Sequence, residues 1–372
     1  MSASLTRRDV LALGGGALLA AALPAARAGA AHADARAVYR SAFVLDANTL
    51  ASVGLFCCDA DTAANLDSIR DSGLTAFKST LGGGAGSFEE AVADIAAADN
   101  LVERFPDRFL KVIRHADFAQ AQREHRIAII YSFEAASMLD GKVERIELFR
   151  RLGVRVMQLG YNRKSPFGCG CLDGDADGVT DLGRQAIAQM NELGVALDLS
   201  HANTRTTADG IAASKRPSLI THAGCRAVFQ HPRNKEDREM KALADKGGVM
   251  GIYMLPFLTP DDRQPKLADY LAHMRHALDV CGEDHVGIGT DSAFFTVGAA
   301  DLKAMADDEA RREKAGIGAP GENRPPYIPD INTPRKLERV ADGLLAAGYG
   351  TRVVDKVLGD NFNRAFKEIW SA

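Results

Sequence analysis

The sequence predicts an α/β fold, a (β/α)8 TIM barrel. Two observations carry that prediction. Eight short, β-rich apolar runs follow one another along the chain, and helix-compatible stretches fill most of the gaps between them. The alternating segment is also of the size expected for a barrel with insertions.

The strand candidates are Phe43 to Leu45, Ala76 to Lys78, Ile127 to Tyr131 and Val154 to Leu159, then Val195 to Leu199, Ser218 to Thr221, Val249 to Tyr253 and Val286 to Ile288. Helical patterns run over Ser87 to Phe105, Thr180 to Leu193 and Lys266 to Val280, and Gly194 and Gly282 read as helix stops. A doubly wound open sheet is the competing architecture. It is weakened because no GxGxxG opens a helix after the first strand. Gly82-Gly83-Gly84 lacks a following Lys-Ser/Thr, so it reads as a βα loop and not a phosphate loop.

Composition bounds the rest. The 372 residues are 46% hydrophobic and 25% charged, with a formal net charge of -4. That balance is globular and offers no basic field for nucleic acid or an anionic membrane. The chain is expected to divide into a leader over 1–30 and one barrel domain over 31–372. In the leader, Arg7-Arg8 precede a weakly apolar Leu/Ala/Gly run, and Ala26-Arg27-Ala28 suits signal peptidase. Paired arginines in that context read as a twin-arginine export signal, which places the mature protein in the periplasm without a stable membrane span. Cys57-Cys58 and Cys169-Gly170-Cys171 are close pairs without zinc-ribbon spacing, and a bridge between the pairs stays open.

In a (β/α)8 barrel, polar residues at the C-terminal ends of strands share one mouth. Here Glu134 follows the third strand, Asp198 and His201 the fifth, His222 the sixth and Asp291 the eighth. A lone histidine after a strand is usually a capping or core residue. Carboxylates and imidazoles at the ends of several strands are harder to explain as packing. Two neutral imidazoles and a carboxylate form an ordinary zinc set. His115, His125, His231, His273, His276 and His285 lack that context and read as structural. Asp173 to Gly178 imitates the start of a calcium loop, but Arg184 stands where the bidentate Glu belongs.

Several collinear segments resemble the membrane dipeptidase (renal dipeptidase-like) family of zinc metallopeptidases, peptidase family M19. They include Leu152 to Arg155, Asn191 to His201, Thr221 to Ala227, His231 to Asn234, Lys246 to Val249, Val286 to Asp291 and Gly359 to Arg364. The resemblance implies a barrel of the metal-dependent hydrolase type and specific roles. Glu134 matches the carboxylate that bridges a pair of zinc ions, and His201 and His222 match imidazole ligands of one of them. Arg233 matches the arginine that grips the substrate carboxylate, and Asp291 the acid that handles protons, so Glu134 and Asp291 are the expected catalytic residues.

The chain also departs from the family. The first-strand His-x-Asp pair becomes Asn48 and Leu50, which are poor or impossible zinc ligands. Tyr161 stands where a substrate-contacting His is expected, and with Arg233 it completes the expected substrate contacts. The resulting expectation is a zinc-dependent hydrolase of dipeptides or small amides holding one zinc, with a second ion open through Asp46. Its partner would be a small dipeptide-like substrate and not nucleic acid, and the resemblance leaves room for a homodimer. The competing reading is an altered family member acting as a periplasmic binding or maturation factor. A sugar- or phosphate-binding barrel is disfavoured, because no phosphate-binding glycine turn follows the last strands.

Overall fold

A computed structural model describes residues 34–50, 62–260 and 262–371. The leader and Cys57-Cys58 therefore lie outside the described residues. Strands β1 (Leu45–Thr49), β2 (Ala76–Thr80), β3 (Phe109–Lys111), β4 (Ile127–Phe133) and β5 (Val154–Gln158) are followed by β6 (Ala196–Asp198), β7 (Leu219–Ala223), β8 (Val249–Ile252) and β9 (Val286–Ile288). The path β1-β2-β4-β5-β6-β7-β8-β9 is parallel throughout, and helices separate successive strands as the (β/α)8 reading requires.

The seam between β1 and β9 is closed by a mixture of backbone and side-chain bonds. Asp291 N donates to Asn48 O at 2.7 Å, and Leu50 N donates to Ser292 O at 3.2 Å. The buried Asp46 carboxylate accepts Thr290 N at 2.8 Å and Thr290 Oγ1 at 2.6 Å. It also accepts Asn48 N at 3.2 Å. An ion-binding role for Asp46 therefore competes with its role as the latch of the barrel.

The strand bounds differ from the sequence reading in an informative way. Strand β1 runs to Thr49, and every residue in it is buried, including Asp46 and Asn48. Strand β7 likewise runs through His222 to Ala223. Polar residues that look like loop in sequence sit inside these strands because a barrel interior buries polar side chains that find partners there. Strand β3 was not foreseen. It has only three residues and lies beside the first half of β4, off the barrel path.

Helix starts follow capping chemistry. Ser87 and Glu90 form a reciprocal capping box at Phe88–Arg104. Thr180 caps Asp181–Leu193, which ends at Gly194 with φ of 64°. The acidic loop serves the fold: Asp173 accepts Gly170 N at 2.9 Å, Asp175 accepts Thr204 N at 3.1 Å, and Asp177 pairs with Lys164 at 2.9 Å. Cys169 and Cys171 are buried free thiols. Among the described residues, no helix is long and apolar enough to cross a membrane.

Candidate metal centre

Strands β4 and β7 and the segment after β6 bring Glu134, His201 and His222 together. All three are buried, and one ligand atom from each lies within 4.8 Å of the others. His201 Nε2 and His222 Nε2 are 3.0 Å apart, and Glu134 Oε2 is 3.7 Å from His201 Nε2. Glycine lets the neighbouring backbone pass close to Thr221 beside His222. A Cβ on Gly251 would lie 2.1 Å from Thr221 O, and one on Gly289 would lie 1.9 Å from it.

The surrounding hydrogen bonds fix where the imidazole protons sit. Thr221 Oγ1 donates its single proton to Asp198 Oδ2 at 2.6 Å. It must then accept from His222 Nδ1 at 2.9 Å, which leaves His222 Nε2 bare. Asn162 Oδ1, a pure acceptor, lies 2.7 Å from His201 Nδ1, so that nitrogen carries the proton and His201 Nε2 is bare as well. Burial pushes the His201 imidazole down to about 3 and holds His222 well below its ordinary range. Both rings are therefore neutral. Two unprotonated nitrogens 3.0 Å apart beside a carboxylate repel one another, and a cation between them would relieve this; the Arg233 guanidinium, 3.2 Å from His201 Nε2, supplies positive charge at one of them. Each ring is braced on its far nitrogen, the arrangement that supports metal-ligating histidines. This donor set fits zinc.

Burial works against ionisation of Glu134, but its Oε1 accepts Thr80 Oγ1 at 2.6 Å and Asn48 Nδ2 at 2.7 Å, and the Lys78 ammonium lies nearby. Asp291 lies on the other side of Asn48, whose Nδ2 donates to Asp291 Oδ1 at 2.8 Å. Burial and the Glu134 charge push Asp291 up to about 7. Its φ of 50° is left-handed, a conformation that Asp tolerates better than most residues.

The two expected substrate contacts border the same triad. Arg233 is buried; one guanidinium nitrogen bonds Ser200 O and another lies 3.2 Å from His201 Nε2. The Tyr161 ring stacks on His201 with centroids 4.0 Å apart, and Tyr161 OH accepts Arg312 Nη2 at 2.6 Å. Arg312 arrives from the helix Ala299–Lys314 after β9 and also pairs with Glu322 at 2.5 Å. The other histidines lie elsewhere. His273 accepts Cys225 N at 2.9 Å, His276 meets Asp237 at 2.7 Å, His285 meets Gly248 O at 2.8 Å, and His115 meets Asn363 Oδ1 at 2.8 Å.

Sequence reasoning had not assigned roles to Asn162, Thr221, Lys78 or Arg312. The first two adjoin residues already singled out, and Lys78 is a charge inside an apolar strand pattern. Arg312 lies in a highly charged helix and carried no signal.

The profile of the family described as "Membrane dipeptidase (Peptidase family M19)" matches residues 33–307. The chain belongs to the membrane dipeptidase family. This dipeptidase-family chain is 27% identical over 286 residues to a Klebsiella pneumoniae protein from the pqqA 5' region, covering 74% of the chain and 94% of that protein. It is 22% identical over 287 residues to a dipeptidase of Claviceps purpurea, covering 76% of the chain and 60% of that protein. A solved structure of a Pseudomonas aeruginosa amidohydrolase aligns with TM-score 0.77 at 27% identity, over 91% of this chain and all of that one.

Proposed function

We propose that this chain is a zinc-dependent hydrolase of dipeptides or small amides, with one zinc on Glu134, His201 and His222 and an altered first-strand site. The observation that carries the reading is the pair of bare Nε2 atoms 3.0 Å apart beside the Glu134 carboxylate. Family membership adds the substrate class. Zinc in such a set supplies Lewis acidity and lowers the pKa of water.

The chain's own residues then take these parts. Arg233 orients the substrate carboxylate, a task suited to a planar fork. Arg312 donates to Tyr161 OH, so the phenol proton is free to reach the substrate carbonyl oxygen. Asp291 accepts the proton of the attacking water and returns it to the leaving amine. Its Oδ2 is the natural acceptor, because Asn48 occupies Oδ1. The paired Arg7-Arg8 and the small-residue stretch after Pro24 support export to the periplasm.

Zinc titration by calorimetry, alongside hydrolysis of a dipeptide panel, tests the reading. His201→Ala and His222→Ala should each weaken zinc at least about 100-fold, since two remaining ligands are too few for a tight site. Unchanged zinc affinity in both variants would remove the triad as the centre. A second reading, a catalytically altered family member acting as a periplasmic binding or maturation factor, is favoured by Asn48 and Leu50 standing where the family has ligands. Zinc binding without hydrolysis of any dipeptide in the panel would select it.

A further inference from the structure

The amide of Asn48 has an unusual position. Its Nδ2 donates to Glu134 Oε1 at 2.7 Å and to Asp291 Oδ1 at 2.8 Å. Both amide protons are therefore spent on carboxylates. Asn48 Oδ1 is buried and has no hydrogen-bond partner, so the two carboxylates alone orient the group. Turning the amide over would place an oxygen against two carboxylate oxygens, which is repulsive. Glu134 Oε1 already accepts a second bond, from Thr80 Oγ1 at 2.6 Å. Glu134 thus has one engaged oxygen on the β1 side and offers Oε2 to the histidines, 3.7 Å from His201.

A cation lying between Glu134 and Asp291 would do what the Asn48 amide does: draw the carboxylates together and fix their orientation. We infer that Asn48 is a built-in neutral substitute for a second cation, a positioning residue that keeps this centre at one ion. The amide supplies the geometry, and the buried Lys78, whose ammonium bonds Ser132 Oγ at 3.1 Å, supplies positive charge nearby. Asp46 cannot readily complete a second site, since Thr290 and Asn48 N already engage both of its oxygens. The inference rests on the zinc reading of the triad.

Zinc stoichiometry of the full mature chain, measured by calorimetry and native mass spectrometry, tests it. Wild type should take up one zinc per chain. Asn48→Asp replaces both donors by acceptors and assembles three carboxylates at one point, an oxygen set that suits a divalent cation. That variant should take up two. If it does not fold, Asn48→His with Leu50→Asp carries the same expectation. Two zinc ions on wild type would overturn the substitute role while leaving the triad intact. One zinc on the folded variants would overturn it as well. No zinc on wild type would instead remove the triad reading on which it stands.

Discussion

Each residue of the candidate centre is defined by what its polar atoms are already committed to. Arg233 illustrates this: buried and directed at Ser200 O and His201, it is positioned at the edge of the triad before any substrate arrives. Arg233→Lys keeps the charge and loses the fork. We expect the KM for carboxylate-bearing dipeptides to rise about 10-fold or more with a smaller change in kcat. Equal steady-state kinetics would take Arg233 out of the substrate site. Tyr161→Phe removes the phenol proton while leaving the ring to stack on His201. It should lower kcat by roughly 10-fold without changing zinc affinity, as loss of one transition-state hydrogen bond does. A matching loss of zinc would assign Tyr161 to ring support instead.

Among the elements, the seam between β1 and β9 matters most, because Asn48 and Asp291 face each other across it. Asp46 holds that seam through Thr290. Asp46→Ala would leave the Thr290 N–H unpaired in a buried place and the hydroxyl with only its longer bond to Asn48 O at 3.3 Å. It should cost about 2 to 4 kcal/mol, read from the urea midpoint. A change below about 0.5 kcal/mol would show that the backbone bonds close the barrel unaided.

Strand β3 and the full length of β1 were not legible in the sequence for related reasons. Three residues are too few for a period, and a strand with Asp46, Asn48 and Thr49 among its buried residues lacks the apolar run that marks a buried strand.

At the scale of the whole molecule, buried titratable groups set the pH range of the fold. His273 links the helix Leu267–Cys281 to the segment after β7, accepting Cys225 N and donating to Leu258 O. Burial lowers its pKa from 6.5 to about 4. A base with a lowered folded pKa gives stability that is fully present above 6.5 and is lost as pH falls through about 4. The contribution is on the order of 3 kcal/mol. Asp46 acts in the opposite sense, since burial raises it to about 6 and its share is lost as pH rises through that value. The His273→Gln variant should therefore lose less stability than wild type between pH 7 and 4 when urea midpoints are compared. Parallel pH profiles would show that His273 does not titrate with unfolding.

The sequence by itself determined the barrel and the residues at its mouth. Apolar runs alternating with capped helices leave few other folds, and Glu134, His201, His222 and Asp291 stand at or beside strand ends where a barrel gathers side chains. The tertiary structure alone decided the proton positions on the two imidazoles, the commitment of Asp46 to the seam, the reach of Arg312 to Tyr161 and the place of Asn48 between two carboxylates. Those facts depend on distances of about 3 Å between residues far apart in the chain, and a pattern along one dimension carries no information on which polar atom spends its hydrogen bond on which partner.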